Sequence, residues 1–444
     1  METITAIATP IGSGGIGVIR ISGPAAVEVA ARVFVPDPSE MPSHTARHGK
    51  LVRPNSRDEI DDVVLTMFRA PKSYTGEDVV EISCHGGVAT LKSALQAAMN
   101  AGARLARPGE FTERAFLNGK LDLAQAEAIN DLIRAKTDDA RRVALRQLDG
   151  ALSSRVSDVA KRILGVLAAV EAAVDFPEDV PEPESRWVES EIGGARADVD
   201  SLLRSFGNGR IYREGLRVVI AGRVNVGKSS LLNALLRHVR AIVTPIPGTT
   251  RDVIEENLEI HGIPIVAMDT AGLRATDDPV ERIGVELTQK SIESADIVLL
   301  VYDASQGLHE EDCALLDRLE DKPVVLVANK CDLANPEPEP LSQVTASALT
   351  GEGIEELESR IAEIAGAGNV GGEAALVSNA RHEEALRSAQ DSLCHALRTI
   401  EDDEPIDLLS GDLNAARSAL GLITGQTASE DLLDRIFGEF CIGK

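Results

Sequence analysis

The stretch that decides the fold is GRVNVGKSS, residues 222–230, which matches the phosphate-binding pattern G-x-x-x-x-G-K-S. The apolar residues 216–221 before it are typical of a buried parallel strand, and residues 230–236 after it predict the start of a helix. In such a loop the backbone N–H groups turn inward on a phosphate, and the helix N-terminus adds its positive end. The stretch therefore predicts a P-loop in an α/β nucleotide-binding domain.

The residues of this loop have separate predicted roles. Lys228 supplies a point charge for the β- and γ-phosphates, and the hydroxyl of Ser229 can ligate Mg²⁺. Further nucleotide contacts are expected from Asn225, Val226, Gly227 and Ser230.

The base is predicted by residues 324–332, VVLVANKCD, an apolar strand that ends in N-K-C-D. The carboxylate of Asp332 can accept hydrogen bonds from N1–H and the 2-amino group of guanine, which adenine cannot offer. The predicted nucleotide is therefore GTP. The expected base contacts are Asn329, Lys330, Asp332, Ser347 and Ala348, the last two in a loop that closes over the base.

A third strand, residues 263–268, ends in the sequence D-T-A-G. Asp269 is placed to hold Mg²⁺ through water, and the Gly272 N–H to meet the γ-phosphate. The predicted contacts here are Asp269, Thr270, Ala271 and Gly272.

Leu273 follows, at the position where a Ras-like enzyme has the glutamine that orients the attacking water. Leucine cannot do this, so hydrolysis needs another polar group and another charge. Glu281 could orient the water through a second water, or it could cap the helix that follows, and the residue type alone does not decide between these roles.

The loop VTPIPGTTRD, residues 243–252, is interpreted as the switch that senses the γ-phosphate. Thr250 suits a second Mg²⁺ contact. Oxygens of four residues could surround a monovalent cation at the place where an arginine finger puts its charge. These residues are Asn225, Thr244, Ile246 and Thr249.

Composition indicates an ordinary globular chain. Its 444 residues allow two or three domains. The five cysteines are scattered and show no metal-ligand spacing, which favours reduced thiols and a cytoplasmic location. Neither a signal peptide nor a membrane-spanning run is expected.

Charge is distributed unevenly along the chain. Residues 1–120 hold 13 Lys and Arg against 13 Asp and Glu, so the net charge of −26 comes from the remainder, with 32 against 58. Such a chain does not bind nucleic acid by diffuse attraction to phosphates. If RNA is the substrate, a local basic site or a partner must hold it.

Four segments are predicted. Residues 1–118 are α+β, with strands at 3–8, 17–22 and 63–68 and helices at 25–34 and 90–101. Residues 119–212 are helical, including one long helix whose apolar face runs from Leu148 to Val174. Residues 213–375 form the α/β domain, and residues 376–444 are helical again at 378–400, 407–421 and 429–440. This last segment is too short to be stable alone, so we expect it to pack on the earlier helices, with the α/β domain inserted between them.

Residues 12–17, GSGGIG, match the dinucleotide pattern G-x-G-x-x-G. That pattern should open a helix, whereas residues 17–22 are β-like, so we interpret it as a turn. Other polar residues are assigned to turns at 76–81, 84–87 and 107–120, which together suggest a small-molecule pocket. His85 is a candidate ligand or base, but we favour a hydrogen-bonded structural histidine at this position.

Taken together, the motifs identify a family. The chain resembles the MnmE (TrmE) family of tRNA-modification GTPases over essentially its full length. The resemblance rests on the GTPase motifs and GTTRD, and on the segments ATPIGSGGIGVIRISG, YTGEDVVEISCHGG, RPGEFTERAFLNGKLDLAQAEAI, DTAGLR and the terminal FCIGK. The resemblance implies a Ras-like P-loop GTPase domain inserted into an all-α helical domain, preceded by a folate-binding-like α+β N-terminal domain.

The resemblance also implies ligands and partners. Arg20, Glu81, Lys120 and Lys444 match the family's contacts to a 5-formyltetrahydrofolate-type folate. Ser229 and Thr250 match its Mg²⁺ ligands, Asn225, Thr244, Ile246 and Thr249 its K⁺ site, and Glu281 its catalytic carboxylate. Family members form homodimers and work with the flavoprotein MnmG (GidA), which brings FAD and NADH, in a heterotetramer or larger complex. Together they add an aminomethyl or carboxymethylaminomethyl group to the wobble uridine of certain tRNAs. Pro245 and Pro247 depart from the family and stiffen the cation loop.

Two alternatives remain open. The chain could be a GTP switch for ribosome assembly without one-carbon chemistry, because such GTPases share the Leu273 pattern. Its N-terminal part could also be a dimerisation module with an idle folate pocket. Cys441 near the C-terminus could line a pocket or act as a nucleophile.

Overall fold

The computed structural model describes residues 2–238, 255–269, 291–319, 322–333, 343–366 and 377–444. The chain forms two compact units. Unit 1 comprises residues 1–130 and 418–444, and unit 2 comprises residues 131–417. In the described part, no helix is both long enough and apolar enough to cross a membrane.

The described strands are β1 (Ile4–Ile7), β2 (Gly14–Ser22), β3 (Phe34–Val35), β4 (Thr45–Val52), β5 (Glu59–Phe68), β6 (Val79–Gly86), β7 (Arg104–Leu105), β8 (Leu216–Ala221), β9 (Glu255–Ile260), β10 (Ile263–Asp269), β11 (Ile297–Asp303), β12 (Val324–Asn329) and β13 (Val344–Thr345).

The described helices are α1 (Ala26–Val33), α2 (Val88–Asn100), α3 (Glu110–Leu117), α4 (Leu123–Arg134), α5 (Asp138–Leu148), α6 (Ala151–Asp175), α7 (Ser185–Arg204), α8 (Phe206–Glu214), α9 (Lys228–His238), α10 (Glu310–Asp317), α11 (Ile354–Ile364), α12 (Ala380–Glu401), α13 (Leu409–Thr424) and α14 (Glu430–Gly438), with a 3₁₀ turn at Ile406–Leu408.

Unit 1 is built on a seven-stranded sheet in the order β3-β4-β5-β6-β2-β1-β7. Its pairs are antiparallel except for the parallel pair β1–β7. Alternation along β2 puts Ile19 and Ile21 in the core with α1 and α2, so Arg20 lies on the opposite face of the sheet. No helix begins at residues 12–17, which confirms that the glycine pattern is not a dinucleotide motif. The predicted turn is wrong for residues 14–17, because β2 already starts at Gly14.

The predicted turns are wrong for residues 79–81 and 84–86, which lie in β6, and for residues 110–117, which form α3. In β6 the buried residues Val80, Ile82 and Cys84 alternate with the more polar Glu81 and His85. That period of two is a strand pattern. Glu81 pairs with Arg20 across the β2–β6 ladder, so both side chains lie on one face of the sheet.

The segment 418–444 completes unit 1. Phe437 and Phe440 of this segment form a cluster with Leu123 and Ala126 of α4. Gly109 permits the close approach, because a Cβ at this position would lie 2.5 Å from the Phe437 carbonyl oxygen. The compact units therefore do not coincide with the four predicted segments, since residues 119–130 and 418–444 group with the N-terminal sheet.

Unit 2 contains a six-stranded sheet in the order β13-β12-β11-β8-β10-β9, parallel except for β9. Apart from the exposed Arg217 near the start of β8, its central strands are largely apolar, because both faces of the sheet are covered, as predicted for 216–221, 263–268 and 324–328. The carboxyl ends of β8, β10 and β12 meet at one edge, which places the loops that carry the predicted nucleotide motifs along that edge.

The helices of unit 2 confirm most predicted positions. The long helix α6 ends at Asp175, before Pro177, as expected. It begins only after Gly150, which adopts φ +85°, so Leu148 closes α5 and does not belong to α6. Helix α12 packs along α7, which confirms that residues after the α/β domain return to the earlier helices.

Candidate functional sites

The P-loop connects β8 to α9 through two glycines in the left-handed region, Gly222 at φ +141° and Gly227 at φ +97°. A Cβ at Gly222 would lie 2.1 Å from the Val301 carbonyl oxygen, and one at Gly227 would lie 2.4 Å from Nδ2 of Asn329. Only glycine fits either place without moving the neighbouring strands.

Lys228, the first residue of α9, is held by the loop itself. Its Nζ donates to the carbonyl oxygens of Gly222 and Arg223, each at 2.7 Å. The ammonium group therefore lies over the loop, where phosphate oxygens can compete for the same donors. Ser229 and Ser230 follow at the exposed N-terminus of α9.

Asn329 at the end of β12 joins two loops. Its Nδ2 donates to the Val226 carbonyl oxygen at 2.8 Å, and its Oδ1 accepts from the Ala348 N–H at 3.1 Å. The side chain is 1% exposed, so both bonds form out of water. Asn329 thus fixes the distance between the phosphate-binding loop and the loop predicted to contact the base.

Lys330 supports the same loop from the other side. It adopts φ +66°, and its Nζ donates to the Asn225 carbonyl oxygen at 2.6 Å and to Asp303 Oδ2 at 2.8 Å. Burial tends to raise the pKa of Asp303, but hydrogen bonds from Lys330 and Ser305 outweigh it, so the net pKa is lowered. Sequence reasoning missed Asp303, although its position at the carboxyl end of β11 was a signal.

The predicted base-recognition residues lie together. The Ser347 hydroxyl donates to Asp332 Oδ1 at 2.5 Å, while its own oxygen accepts from the Thr350 N–H at 3.2 Å. Ser347 is fully buried, whereas Asp332 is exposed. This arrangement orients the carboxylate and leaves it accessible to the donor edge of a base. Leu333 and Leu349 beside it expose 66% and 84% of their surface, apolar area that a purine ring could cover.

Several predicted residues lie outside the described residues, and the predictions for them stand as made. They are Thr244, Ile246, Thr249, Thr250, Thr270, Ala271, Gly272, Leu273 and Glu281, together with the side chain of Asp269.

A second candidate site lies in unit 1, around Arg20. Its guanidinium makes two contacts of 2.8 Å to Glu81 Oε1 and donates at 3.3 Å to the Gly443 carbonyl oxygen. Its central carbon lies 5.5 Å from the ring centroid of Tyr74 and 5.6 Å from that of Phe111. A half-buried cation between two aromatic rings and a carboxylate is a setting for a flat, charged small molecule.

Residues 441–444 are fastened beside this cluster. Gly443 adopts φ +95°, and a Cβ there would lie 2.3 Å from the Ile7 carbonyl oxygen. The Phe111 N–H donates to the Lys444 carbonyl oxygen at 3.2 Å. Burial, and then the neighbouring charge of Arg20, lower the pKa of the Lys444 ammonium group. Arg20, Glu81 and Lys444 are thus brought together.

The other candidates of unit 1 have different surroundings. Lys120 is exposed, and its Nζ donates to the Pro71 carbonyl oxygen at 3.0 Å. His85 accepts or donates at 2.6 Å with Asp61, which fits a hydrogen-bonded structural histidine. Burial raises the pKa of the Cys84 thiol to about 12, so this thiol is not a nucleophile at neutral pH. Cys441 is exposed.

Comparison with known proteins shows the family to which the chain belongs. The family model described as "MnmE helical domain" matches residues 123–441, and "GTP-binding protein TrmE N-terminus" matches residues 3–120. The chain belongs to the MnmE family. A tRNA modification GTPase MnmE from Carboxydothermus hydrogenoformans is 47% identical, with 100% of this chain and 99% of that protein covered. One from Chloroflexus aurantiacus is 50% identical, with 100% of each covered.

Membership of the MnmE family agrees with the architecture described above, a GTPase domain within a helical segment that follows an α+β sheet domain. The chain is accordingly a GTP-hydrolysing enzyme of tRNA modification. Among solved structures, Era from Aquifex aeolicus bound to GDP.AlF4- is 28% identical, with a TM-score of 0.28. That match covers 40% of this chain and 66% of Era.

Proposed function

We propose that this GTPase works with a flavoprotein partner to add an aminomethyl or carboxymethylaminomethyl group to C5 of the wobble uridine of certain tRNAs. The observation that carries the proposal is that one chain of the MnmE family contains both the Ser347–Asp332 contact expected of a guanine site and the separate cluster of Arg20, Glu81 and Lys444. A GTP switch alone needs the first site and has no use for the second.

The nucleotide site is proposed to bind GTP with Mg²⁺ and K⁺. Lys228 meets the β- and γ-phosphates, and Asp332 pairs with guanine. Ser229 and Thr250 hold Mg²⁺, which neutralises phosphate charge when bound. The K⁺ ligands are Asn225, Thr244, Ile246 and Thr249, and Glu281 orients the attacking water. For the described residues, the support is the left-handed Asn225 in the loop and the exposed hydroxyl of Ser229.

The unit 1 cluster is proposed to bind a 5-formyltetrahydrofolate-type folate. The residues present fit this group, because the rings of Tyr74 and Phe111 beside Arg20 offer apolar surface to a pterin. The Lys444 ammonium group, partly withdrawn from water, offers a charge to a glutamyl carboxylate. Lys120 would have to leave the Pro71 carbonyl to take part. The folate supplies the one-carbon unit.

The proposed assembly is a homodimer that joins the flavoprotein MnmG in a heterotetramer or larger complex. FAD and NADH belong to that partner. Since the chain carries a net charge of −26, the proposal leaves the holding of tRNA to the partner or to a local basic site.

The test is mass spectrometry of tRNA nucleosides from cells with the chain, without it, and with a double variant carrying Arg20→Ala and Lys444→Ala. Loss of the aminomethyl-type wobble uridine on deletion and in the double variant supports the whole proposal. Lys92→Ala, which removes a charge from the exposed face of α2, is the matched control and should leave the nucleosides unchanged.

Two other outcomes contradict the proposal in different ways. Unchanged nucleosides after deletion refute the modification chemistry, and sedimentation of the chain with ribosomal subunits would then favour the assembly switch. Normal nucleosides in the double variant alone would show that the unit 1 pocket is idle and that the domain serves only dimerisation.

A further inference from the structure

Arg223 occupies a variable position of the P-loop pattern, and its side chain is directed to the first turn of α10. Its Nε donates to Asp312 Oδ2 at 3.0 Å. The Asp312 side chain is 1% exposed and that of Arg223 is 21% exposed, so the two charges pair largely out of water. They are 89 residues apart in sequence.

The same carboxylate oxygen has a second partner. Asp312 Oδ2 also accepts the His309 N–H at 3.1 Å, as one half of a capping box whose other half is the His309 side chain. One oxygen therefore joins the P-loop to the N-terminus of α10. The carboxylate has the geometry of a helix cap and, in addition, the charge that Arg223 requires.

The main chain of Arg223 touches the phosphate-binding lysine. Lys228 Nζ donates at 2.7 Å to the Arg223 carbonyl oxygen and at 2.7 Å to that of Gly222. Asp312 thus binds the side chain of Arg223, and the carbonyl oxygen of the same residue accepts a hydrogen bond from the Lys228 ammonium group. A displacement of Arg223 would move Lys228 with it.

The far end of the loop is held from β12, since Lys330 Nζ donates to the Asn225 carbonyl and Asn329 Nδ2 to the Val226 carbonyl. These bonds hold Asn225 and Val226, whereas Gly222 and Arg223 lie at the start of the loop. The Arg223–Asp312 pair supplies a tether there, so both ends of the loop are held before a nucleotide arrives. A loop ordered in advance loses less conformational freedom on binding.

We propose that Arg223 is a positioning residue of this GTPase: its ion pair with Asp312 keeps the P-loop and Lys228 in the phosphate-receiving geometry and thereby sets the affinity for guanine nucleotides. The inference rests on the P-loop as the nucleotide site. Without its partner, either charge is left in a place with little water, and the loop must rearrange to expose it.

The test measures the dissociation constants of fluorescent GDP and of a non-hydrolysable GTP analogue, together with kcat and KM for GTP. Arg223→Ala and Asp312→Asn should weaken binding of both nucleotides roughly tenfold and raise KM for GTP to a similar extent. Arg223→Lys, which keeps the charge, should recover part of the affinity. The double variant with Arg223→Ala and Asp312→Ala should bind no more weakly than Arg223→Ala, because the two residues act as one pair.

The matched control is His309→Ala, which removes the other half of the capping box and leaves the ion pair. It should lower the thermal midpoint without changing nucleotide affinity. If Arg223→Ala does not fold by circular dichroism, Arg223→Lys and Asp312→Asn carry the comparison. Variants that lose thermal stability but keep the wild-type affinity for nucleotide would show that the pair only stabilises the fold, and this result would overturn the proposal. Absence of nucleotide binding by the wild-type chain would instead refute the site itself.

Discussion

The Ser347 hydroxyl donates a hydrogen bond of 2.5 Å to Asp332 Oδ1, and this bond orients the carboxylate that we assign to guanine. The serine is itself fully buried, so the bond cannot be replaced easily by water. The selectivity for guanine is therefore expected to depend on both residues, although Asp332 alone would touch the base.

Asp332→Asn should weaken GTP binding roughly a hundredfold, because hydrogen bonds to a charged acceptor contribute about 1.5–3 kcal/mol each. The amide reverses one donor–acceptor pair, so xanthosine triphosphate should become the better ligand. Calorimetric titration with both nucleotides checks this. Ser347→Ala, which keeps the carboxylate, should lose less affinity and keep the preference for guanine. Undiminished GTP affinity in the asparagine variant would refute the base assignment.

Asn225 provides a test of the proposed cation. Replacing K⁺ by Na⁺ should slow GTP hydrolysis by the wild-type chain roughly tenfold or more, since the ion stands for an arginine finger. In Asn225→Gly the two ions should give equal rates. Glycine is the proper substitution because Asn225 adopts φ +67°, where alanine would add strain. Asn225→Asp keeps a side-chain oxygen and should keep the ion dependence. Equal rates for the wild-type chain in the two salts would contradict the cation site.

Glu110 should make the stability of unit 1 depend on pH. It is 3% exposed and accepts hydrogen bonds from Arg104, the Arg107 N–H and Arg114. Burial tends to raise the pKa of Glu110, but these bonds lower it from 4.5 to about 2. Because the folded pKa lies below the unfolded one, the stabilisation is complete above about pH 4.5 and is lost as the pH falls through about 2.

Glu110→Gln should accordingly lower the free energy of unfolding by about 3 kcal/mol at pH 7, and the difference from wild type should shrink below pH 4.5. Urea unfolding at pH 7 and pH 3 measures both values. Glu113→Gln removes the partner of Arg107, which is 58% exposed, and should cost at most about 1 kcal/mol. A constant difference between Glu110→Gln and wild type at both pH values would contradict the linkage.

Gly443→Ala should weaken the proposed folate binding roughly tenfold, because the added methyl meets the Ile7 carbonyl and moves the carbonyl that Arg20 contacts. Titration with 5-formyltetrahydrofolate measures the change. Gly438→Ala is the control, since a Cβ there meets nothing within 4 Å. Equal affinities for the two variants would show that Arg20 does not depend on this segment.

Strands buried on both faces were predictable from sequence, because short, mostly apolar runs such as β8 and β12 have few alternatives in a chain with a P-loop. β6 carries a strand signal as well, since Val80, Ile82 and Cys84 alternate with polar residues, but polar residues beside glycines are also typical of turns. β4 is different. Its first residues are mostly polar and partly exposed, so its sequence carries no apolar alternation to find.

Contacts of the candidate sites also differ in whether they could be predicted from the sequence. Loop motifs placed Lys228, Asn329 and Asp332 because the chemistry is local in sequence. The Arg223–Asp312 pair spans 89 residues and has no local signal. The position of Lys120 at the Pro71 carbonyl likewise depends on how two loops meet, which single-sequence patterns do not encode.

The cluster of Leu123, Ala126, Phe437 and Phe440 has a consequence for biosynthesis. Phe437 and Phe440 are translated about 310 residues after Leu123 and Ala126, and the whole of unit 2 is translated in between. At roughly 5–20 residues per second, the delay is about 15 to 60 seconds. During that time the nascent N-terminal sheet domain exposes an apolar surface. A chaperone that binds this surface would protect it until the last helix has been synthesised.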